Sequence, residues 1–312
     1  MNRVETVSPA SGIAVVGVGG CGLTVLRSLC DEGMQGVACI ACDDDEAALS
    51  AFSAGARVLL HAKGNRRGVD LCRNAALASA EDVKSAIPAG TRLVVVVGGL
   101  GGCVGAGAMP VVSRLAKSVS DDCVVLVVAA LPLSIEGMER VSRAAGVVDD
   151  LLLSADGVMT VGGGDVGQDA HLTLNDAMSS QVNKLCSAVR VLSVYCLASP
   201  DDAFHSLQLM FASGGRALFV VGEGDGENRV RDAIDDALHT FRDASLGASA
   251  ILLRLCCSER HELTLDEFYI VSEHVKKRFG EEVVIQWTVD NDNSLGGKVR
   301  VALVASRVKG LG

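Results

Sequence analysis

The 312-residue chain carries 28 Lys and Arg against 38 Asp and Glu, a formal net charge of −10 with histidine neutral. With 49% hydrophobic and 21% charged residues, this is a globular composition and not a disordered one. The acidic balance argues against a protein that coats nucleic acid, and no window approaches the roughly 18 apolar residues of a membrane span, so neither nucleic acid nor direct membrane insertion is expected.

Other counts narrow the class further. The N-terminal MNRVETVSPASG is polar and lacks the apolar core of a signal peptide. Eleven cysteines are scattered through apolar contexts, the pattern of reduced, buried thiols, and a cytoplasmic location is expected. Cys39 and Cys42 have CxxC spacing but lie inside a predicted strand without a second pair. They read either as a zinc or redox pair or as two buried structural residues.

After a polar extension over residues 1–11, apolar runs alternate with helical patterns. IAVVGV is a strand leading through glycines into a helix around LTVLRSLCDEG. VACIAC is a second strand, DEAALSAF a helix and RVLL a third strand. VDLCRNAALASAEDVKSAI reads as one helix, and RLVVVV, CVVLVVAAL and GVMTV as further strands. Strands without polar alternation, separated by helices, imply an α/β fold with a Rossmann-like parallel sheet over residues 12–173. LNDAMSSQVNKLCSAVRVLSVYCLAS reads as one long connecting helix over 174–198, stopped by Ser-Pro. Residues 199–312 form a smaller α+β domain with a mixed sheet. Its strands are RALFVVGEGD, ASAILLRLCC, EEVVIQWTVDND and GKVRVALVAS; its helices are ENRVRDAIDDALHTF and TLDEFYIVSEHVKKRF, the latter with a capping box at Thr264 and Glu267.

Two glycine loops follow strands of this sheet. GVGGCG, Gly17 to Gly22, satisfies GxGxxG, and an acidic cluster, Asp43 to Asp45, follows the second strand. That pattern places a phosphate at a helix N-terminus and Asp43 on a ribose; read alone, it is equally a tight strand-to-helix turn. GGLGGCVGAG, Gly98 to Gly107, is a second such loop at another strand's end. All parallel strands end on one edge, so both loops can hold one run of phosphates through backbone amides. Asp43 to Glu46 also suits the acidic start of a helix.

GGLGGCVGAGAMPVV resembles the signature loop of the tubulin/FtsZ family. IAVVGVGGCG is similar to the FtsZ first strand and loop, LPLSIEGMER to its ribose-contacting stretch, and VVIQWTVDNDNSLGGKVRVALVAS to its second domain. The resemblance runs in order from about residue 12 to 306. It implies the tubulin/FtsZ fold, GTP or GDP as ligand with or without Mg2+, and a cytoskeletal subunit that assembles head to tail into filaments in cell division. It places Gly19, Gly20, Cys21, Gly22, Asp43, Gly101, Gly102, Cys103, Val104, Gly105 and Gly107 at the nucleotide, Glu136 at the ribose and Arg140 on the phosphate side. Base stacking falls on Met178 and guanine reading on Val182, with Asn183 next to it as the substitute.

The chain departs from that family at several of these positions. Cys103, Val104 and Ala106 replace a glycine and two threonines, removing two hydroxyl donors of about 1 kcal/mol each. The loop after the third strand is short and basic at Lys63, Arg66 and Arg67, and an expected asparagine is missing from VGGGD. The two catalytic carboxylates fall on Asp202 and His205, with Asp201 available to compensate and Pro200 replacing an asparagine; Asp201 and Asp202 equally suit a helix start. Weak or impaired hydrolysis is expected. The alternatives are a structural pseudo-GTPase that assembles without nucleotide control or binds another FtsZ-like protein, and a nicotinamide-dependent Rossmann oxidoreductase, which leaves the second loop unexplained. The sequence ends at SRVKGLG, before the linker and adaptor-binding peptide usual in FtsZ; either the sequence is part of a longer chain or the protein does not use that tether, so a role in constricting a membrane is less secure than assembly. No metal-ligand spacing stands out among the remaining histidines.

Overall fold

The apolar runs of the first half form a six-stranded, wholly parallel sheet. The computed structural model describes residues 11–61, 68–162, 173–198, 200–239 and 247–306, and the chain divides into two units, Met1–Val189 and Arg190–Gly312. In the first, the elements are β1 (Ile13–Val18), α1 (Gly19–Asp31), β2 (Ala38–Asp43), α2 (Glu46–Ser50), β3 (Ala56–Leu59), α3 (Val69–Ala78), α4 (Ala80–Ala86), β4 (Leu93–Gly99), α5 (Cys103–Lys117), β5 (Val124–Leu131), a 3-10 turn (Ser134–Glu136), α6 (Met138–Leu152) and β6 (Gly157–Gly162). The long helix α7 (Leu174–Ala198) follows, and the division between the units falls inside it.

Strand order is β3-β2-β1-β4-β5-β6. Val18 pairs with Cys42 on one side and Gly98 on the other, and Gly99 pairs with Ala130. The C-terminal ends of β1, β2, β4 and β5 are therefore level, and their loops leave from one edge. Both faces are covered, which explains the lack of polar alternation. Ala14, Val16, Val94, Val96, Val125 and Val127 pack under α3, α5 and α6, while α1 lies against β1, β2 and β4 from the other side with Val25, Leu26 and Leu29 fully buried.

One expected helix is two. VDLCRNAALASAEDVKSAI breaks at Ser79, between α3 and α4. The buried Ser79 hydroxyl accepts from His61 N–H at 3.2 Å and donates to Leu59 O at 3.3 Å. It thereby ties the end of β3, a long-range demand that outweighs the local helix preference of the segment.

In the second unit come the last turns of α7, then α8 (Pro200–Phe211), β7 (Arg216–Gly224), α9 (Arg229–His239), β8 (Ala250–Cys257), α10 (Leu265–Phe279), β9 (Val284–Asn291) and β10 (Val299–Ser306). The sheet order is β7-β10-β8-β9; β10 runs antiparallel to β7 and β8, while β8 and β9 are parallel. Ile234, Leu253, Leu255, Val271, Val275, Val301 and Leu303 form its core, between the sheet and α9 and α10. Thr264 and Glu267 make the expected capping box, and Glu267 also pairs with Arg229 at 2.8 Å. Among the described residues, no helix is long and apolar enough to cross a membrane.

Candidate functional site

The level ends of β1, β2, β4 and β5 open onto a cleft of about 540 Å3. Two helices begin at it, α1 directly after β1 and α5 after the Leu100–Gly102 turn. Neither N-terminus has a side-chain cap, and neither first turn contains an acidic residue. In α5, Ala106 N–H is bonded back to Gly102 O at 3.1 Å. The preceding N–H groups, of Cys103, Val104 and Gly105, therefore have no intrahelical acceptor, and the helix dipole adds partial positive charge there.

The glycines of the two loops differ in what they do. Gly19 has φ +71°, and a Cβ on it would lie 3.3 Å from both Gly105 N and Val104 Cβ, so the two loops touch. A Cβ on Gly105 would lie 2.0 Å from Gly99 O, which fixes glycine there. Gly20 and Gly102 are the opposite case. A Cβ on either meets no atom within 4 Å, although both line the cleft. Nothing among the described residues requires these two to be bare, which leaves the space for a ligand that approaches the backbone. Gly101 stands between Pro132 and Glu136.

Gly22 and Gly107 do not line the cleft. A Cβ on Gly22 would be 2.6 Å from Val97 O, and one on Gly107 2.3 Å from Val69 O. Both glycines therefore allow close packing, of α1 on β4 and of α5 on α3.

The walls carry the polar groups. Asp43, 4% exposed at the end of β2, accepts from Asp45 N–H at 3.2 Å, and burial pushes its carboxyl up to about 6. Asp45 caps α2 by accepting from Ala47 and Ala48 N–H at 2.9 and 3.1 Å, so part of the acidic run serves its own helix. On the opposite wall, Glu136 accepts from Leu133 N–H and from Arg140, both at 2.9 Å, which holds its carboxylate in one orientation. Cys21, Cys103 and Val104 also line the cleft; burial pushes the Cys21 thiol up to about 11, so it is neutral at physiological pH.

Helix α7 closes the cleft with Met178 and Gln181. Gln181 is a residue that the sequence patterns did not single out. Its Nε2 donates to Leu131 O at 3.0 Å, and Gly162, at φ +78°, leaves the space its amide occupies, since a Cβ there would be 2.2 Å from Nε2. The available signal was its position three residues after Met178, on one helix face. A second groove continues past Cys21 and Thr24 along α7, and Asn183 lines this groove with Asn175, Ser179 and Val182.

Other expected residues lie elsewhere. Asp201, Asp202 and His205 are exposed on the first turns of α8, in the second unit, and none of them lines the cleft. Asp202 and His205 stand three apart, on one side of the helix. Lys63, Arg66, Arg67 and the VGGGD loop beyond Gly162 lie outside the described residues.

Two bare helix starts, an oriented carboxylate and a neighbouring groove can accept a compound with an anionic end and hydroxyl groups. Comparison with known proteins identifies the family. The model of the Tubulin/FtsZ family GTPase domain matches residues 12–162, and that of the FtsZ family C-terminal domain matches residues 215–309. Cell division protein FtsZ 1 of Thermococcus kodakarensis is 28% identical over 309 residues, covering 95% of this chain and 80% of that one. Cell division protein FtsZ 2 of Rhizobium meliloti is 29% identical over 306 residues, covering 94% and 87%. Among solved structures, an empty FtsZ dimer of M. jannaschii superposes with a TM-score of 0.84 at 27% identity, covering 98% of this chain and 88% of that one. CetZ2 from Haloferax volcanii, solved as a GTPγS-bound protofilament, shares the fold at a TM-score of 0.76 and 20% identity, covering 96% and 93%. With both family models matched in order and the two glycine loops meeting at one cleft, the chain belongs to the tubulin/FtsZ family, as a divergent FtsZ-like member.

Proposed function

We propose that this protein is a cytoskeletal subunit that binds a guanine nucleotide, GTP or GDP, in the cleft and assembles head to tail into filaments, with slow hydrolysis. The observation that carries the reading is the pair of uncapped helix starts, with Gly20 and Gly102 open on the same cleft. Amides of Gly19–Cys21 and Gly101–Gly105 would hold the phosphates, including that of Val104, whose side chain offers no hydroxyl. Glu136 would accept from the ribose, with Arg140 both orienting it and neutralising charge. Asp43 would stand near the sugar, Met178 would pack on the base, and Asn183 with Gln181 would meet the base edge with amides. Mg2+ with the phosphates would supply charge neutralisation.

Hydrolysis would be assigned to the next subunit's α8, where Asp202 and His205 would orient water. A neutral imidazole is the weaker base for this task, which is why turnover would be slow. One observation favours a second reading, a pseudo-GTPase that assembles without turnover or beside another FtsZ-like protein. Cys103 and Val104 line the cleft where the phosphates would lie and present no hydroxyl there.

The test is one purified sample analysed three ways. Bound nucleotide is extracted and identified, phosphate release is followed with GTP and Mg2+, and assembly is followed by light scattering and electron microscopy with GTP, GDP or neither. Bound GDP or GTP, nucleotide-dependent filaments and slow phosphate release are expected. Filaments that ignore nucleotide would favour the second reading, and filaments absent under every condition would remove the assembly claim.

A further inference from the structure

The cysteine spacing that stands out in the sequence is Cys39–x–x–Cys42, but the structure pairs Cys39 with a different partner. Residues 39 and 42 are an odd number apart on β2, so their side chains leave opposite faces of the sheet. Cys42 joins the core beneath α3 and α5. Cys39 faces α1, where the Sγ of Cys30, on the last turn of that helix, lies 3.6 Å from its own Sγ. Only residues 32–37 connect α1 to β2. Two thiols in van der Waals contact thus sit on elements joined by a short, glycine-containing turn.

We propose that Cys30 and Cys39 are a redox-modifiable pair, which a hydroperoxide closes to an intramolecular disulfide. The Cys30 thiolate attacks one peroxide oxygen and displaces water or alcohol, which leaves Cys30 as a sulfenic acid. The Cys39 sulfur, giving up its proton, then attacks that sulfur and releases water. The two thiols lose two electrons and two hydrogens together, and the peroxide is reduced. The Sγ atoms must close from 3.6 Å to about 2.05 Å, which side-chain rotation at the helix end can supply.

The environment assigns the roles. Cys30 is half-buried and reachable, whereas Cys39 is 7% exposed, so the first attack belongs to Cys30 and the resolving step to Cys39. The contact with Cys39 holds the Cys30 thiol below its ordinary range, against the opposing effects of partial burial and the Asp31 charge; the same contact and burial hold Cys39 above its range. Cys21 and Cys42 are pushed up to about 11 and about 12 by burial, which leaves them protonated and slow. The bond would tie the far end of α1 to the start of β2. Their opposite ends carry Gly19 and Asp43 into the cleft, so the thiol state sets how firmly these two walls are joined.

The experiment uses the full chain, purified reduced and then exposed to hydrogen peroxide before free thiols are alkylated. Trypsin leaves both cysteines in one fragment, so cleavage after Glu32, inside the turn, is needed to show the link by mass. Expected is a Cys30–Cys39 cross-linked fragment, about 2 Da lighter than its reduced parts, that dithiothreitol reverses. It should form before the other cysteines are consumed, vanish in Cys30→Ser and Cys39→Ala, and persist in Cys42→Ala. A Cys39–Cys42 link would overturn the proposal. So would Cys30 that is fully oxidised to sulfinic acid with Cys39 still a free thiol, alkylated once the protein is denatured.

Discussion

The start of α10 and the starts of α1 and α5 solve one problem in opposite ways. At α10 the orphan N–H groups are met by the chain itself. Thr264 accepts from Glu267 N–H at 3.3 Å, Glu267 accepts from Thr264 N–H at 2.8 Å, and Arg229 bonds both Glu267 and the carbonyls of His261 and Glu262. At α1 and α5 no side chain performs this task, and Gly20 and Gly102 stand with open space before them. Helices α3, α4 and α6 also lack a side-chain cap but carry Asp70, Glu81 with Asp82, and Glu139 in their first turns, whereas α1 and α5 have neither a cap nor an acidic residue there. The cleft is thus recognisable by what the chain withholds there.

Exchanging the two solutions gives the largest expected effect. Gly102 is the N-cap of α5, with φ −91° and ψ 159°, a conformation any residue adopts. Gly102→Asp would cap the helix and place a carboxylate where the phosphate is proposed to lie. Nucleotide affinity should fall by about 100-fold or more, while the melting temperature without nucleotide holds or rises slightly. Thr264→Ala should do the reverse, costing roughly 0.5–2 kcal/mol of stability and leaving affinity unchanged. Binding by titration and melting with and without GDP read both. A Gly102→Asp protein that keeps its affinity would show that α5 does not face the phosphates.

The acidic wall gives a second, smaller contrast, because Asp43 is buried with no cation paired to it among the described residues, whereas Glu136 has Arg140. Its carboxyl is pushed from 3.8 up to about 6 by burial, with the neighbouring Asp44 adding to the shift. Well below pH 3.8 it is protonated in both folded and unfolded chains, and its stabilising share is fully present. That share is lost as pH rises through about 6, where the folded carboxyl must ionise in place. Asp43→Asn keeps an acceptor for Asp45 N–H. It should stabilise the nucleotide-free protein at pH 7.5 by on the order of 2 kcal/mol, and should change almost nothing near pH 3. Equal effects at both pH values would mean that charge is not the cause.

How much of this the sequence discloses depends on whether the governing contact is local. The strands of the parallel sheet are legible because burial on both faces leaves continuous apolar runs, as in RLVVVV and CVVLVV. Thr264 and Glu267 are legible because a capping box spans only four residues. Ser79 is not, since its partners, Leu59 O and His61 N–H, come from a strand end some twenty residues earlier. Gln181 is hidden for the same reason, its amide being placed by Leu131 O and by the bare Cα of Gly162. The packing role of Gly22 and Gly107 is hidden as well, because the carbonyls their Cα atoms face, Val97 O and Val69 O, belong to other elements.

The smallest expected effect decides what the α5 loop does without its hydroxyl groups. Val104 is half-buried at the cleft and touches Gly19 of the other loop. Val104→Thr is nearly isosteric, so the loop contact survives with one methyl exchanged for a hydroxyl. If backbone amides hold the phosphate incompletely, the added donor is worth about 1 kcal/mol, and affinity for GDP should rise about fivefold. If the amides already saturate the phosphate oxygens, the hydroxyl gains nothing and affinity stays within twofold. The two outcomes separate a loop that has lost part of its grip from one that never needed a side chain. Only the first permits nucleotide to leave this protein faster than it leaves a protein with threonine at that position.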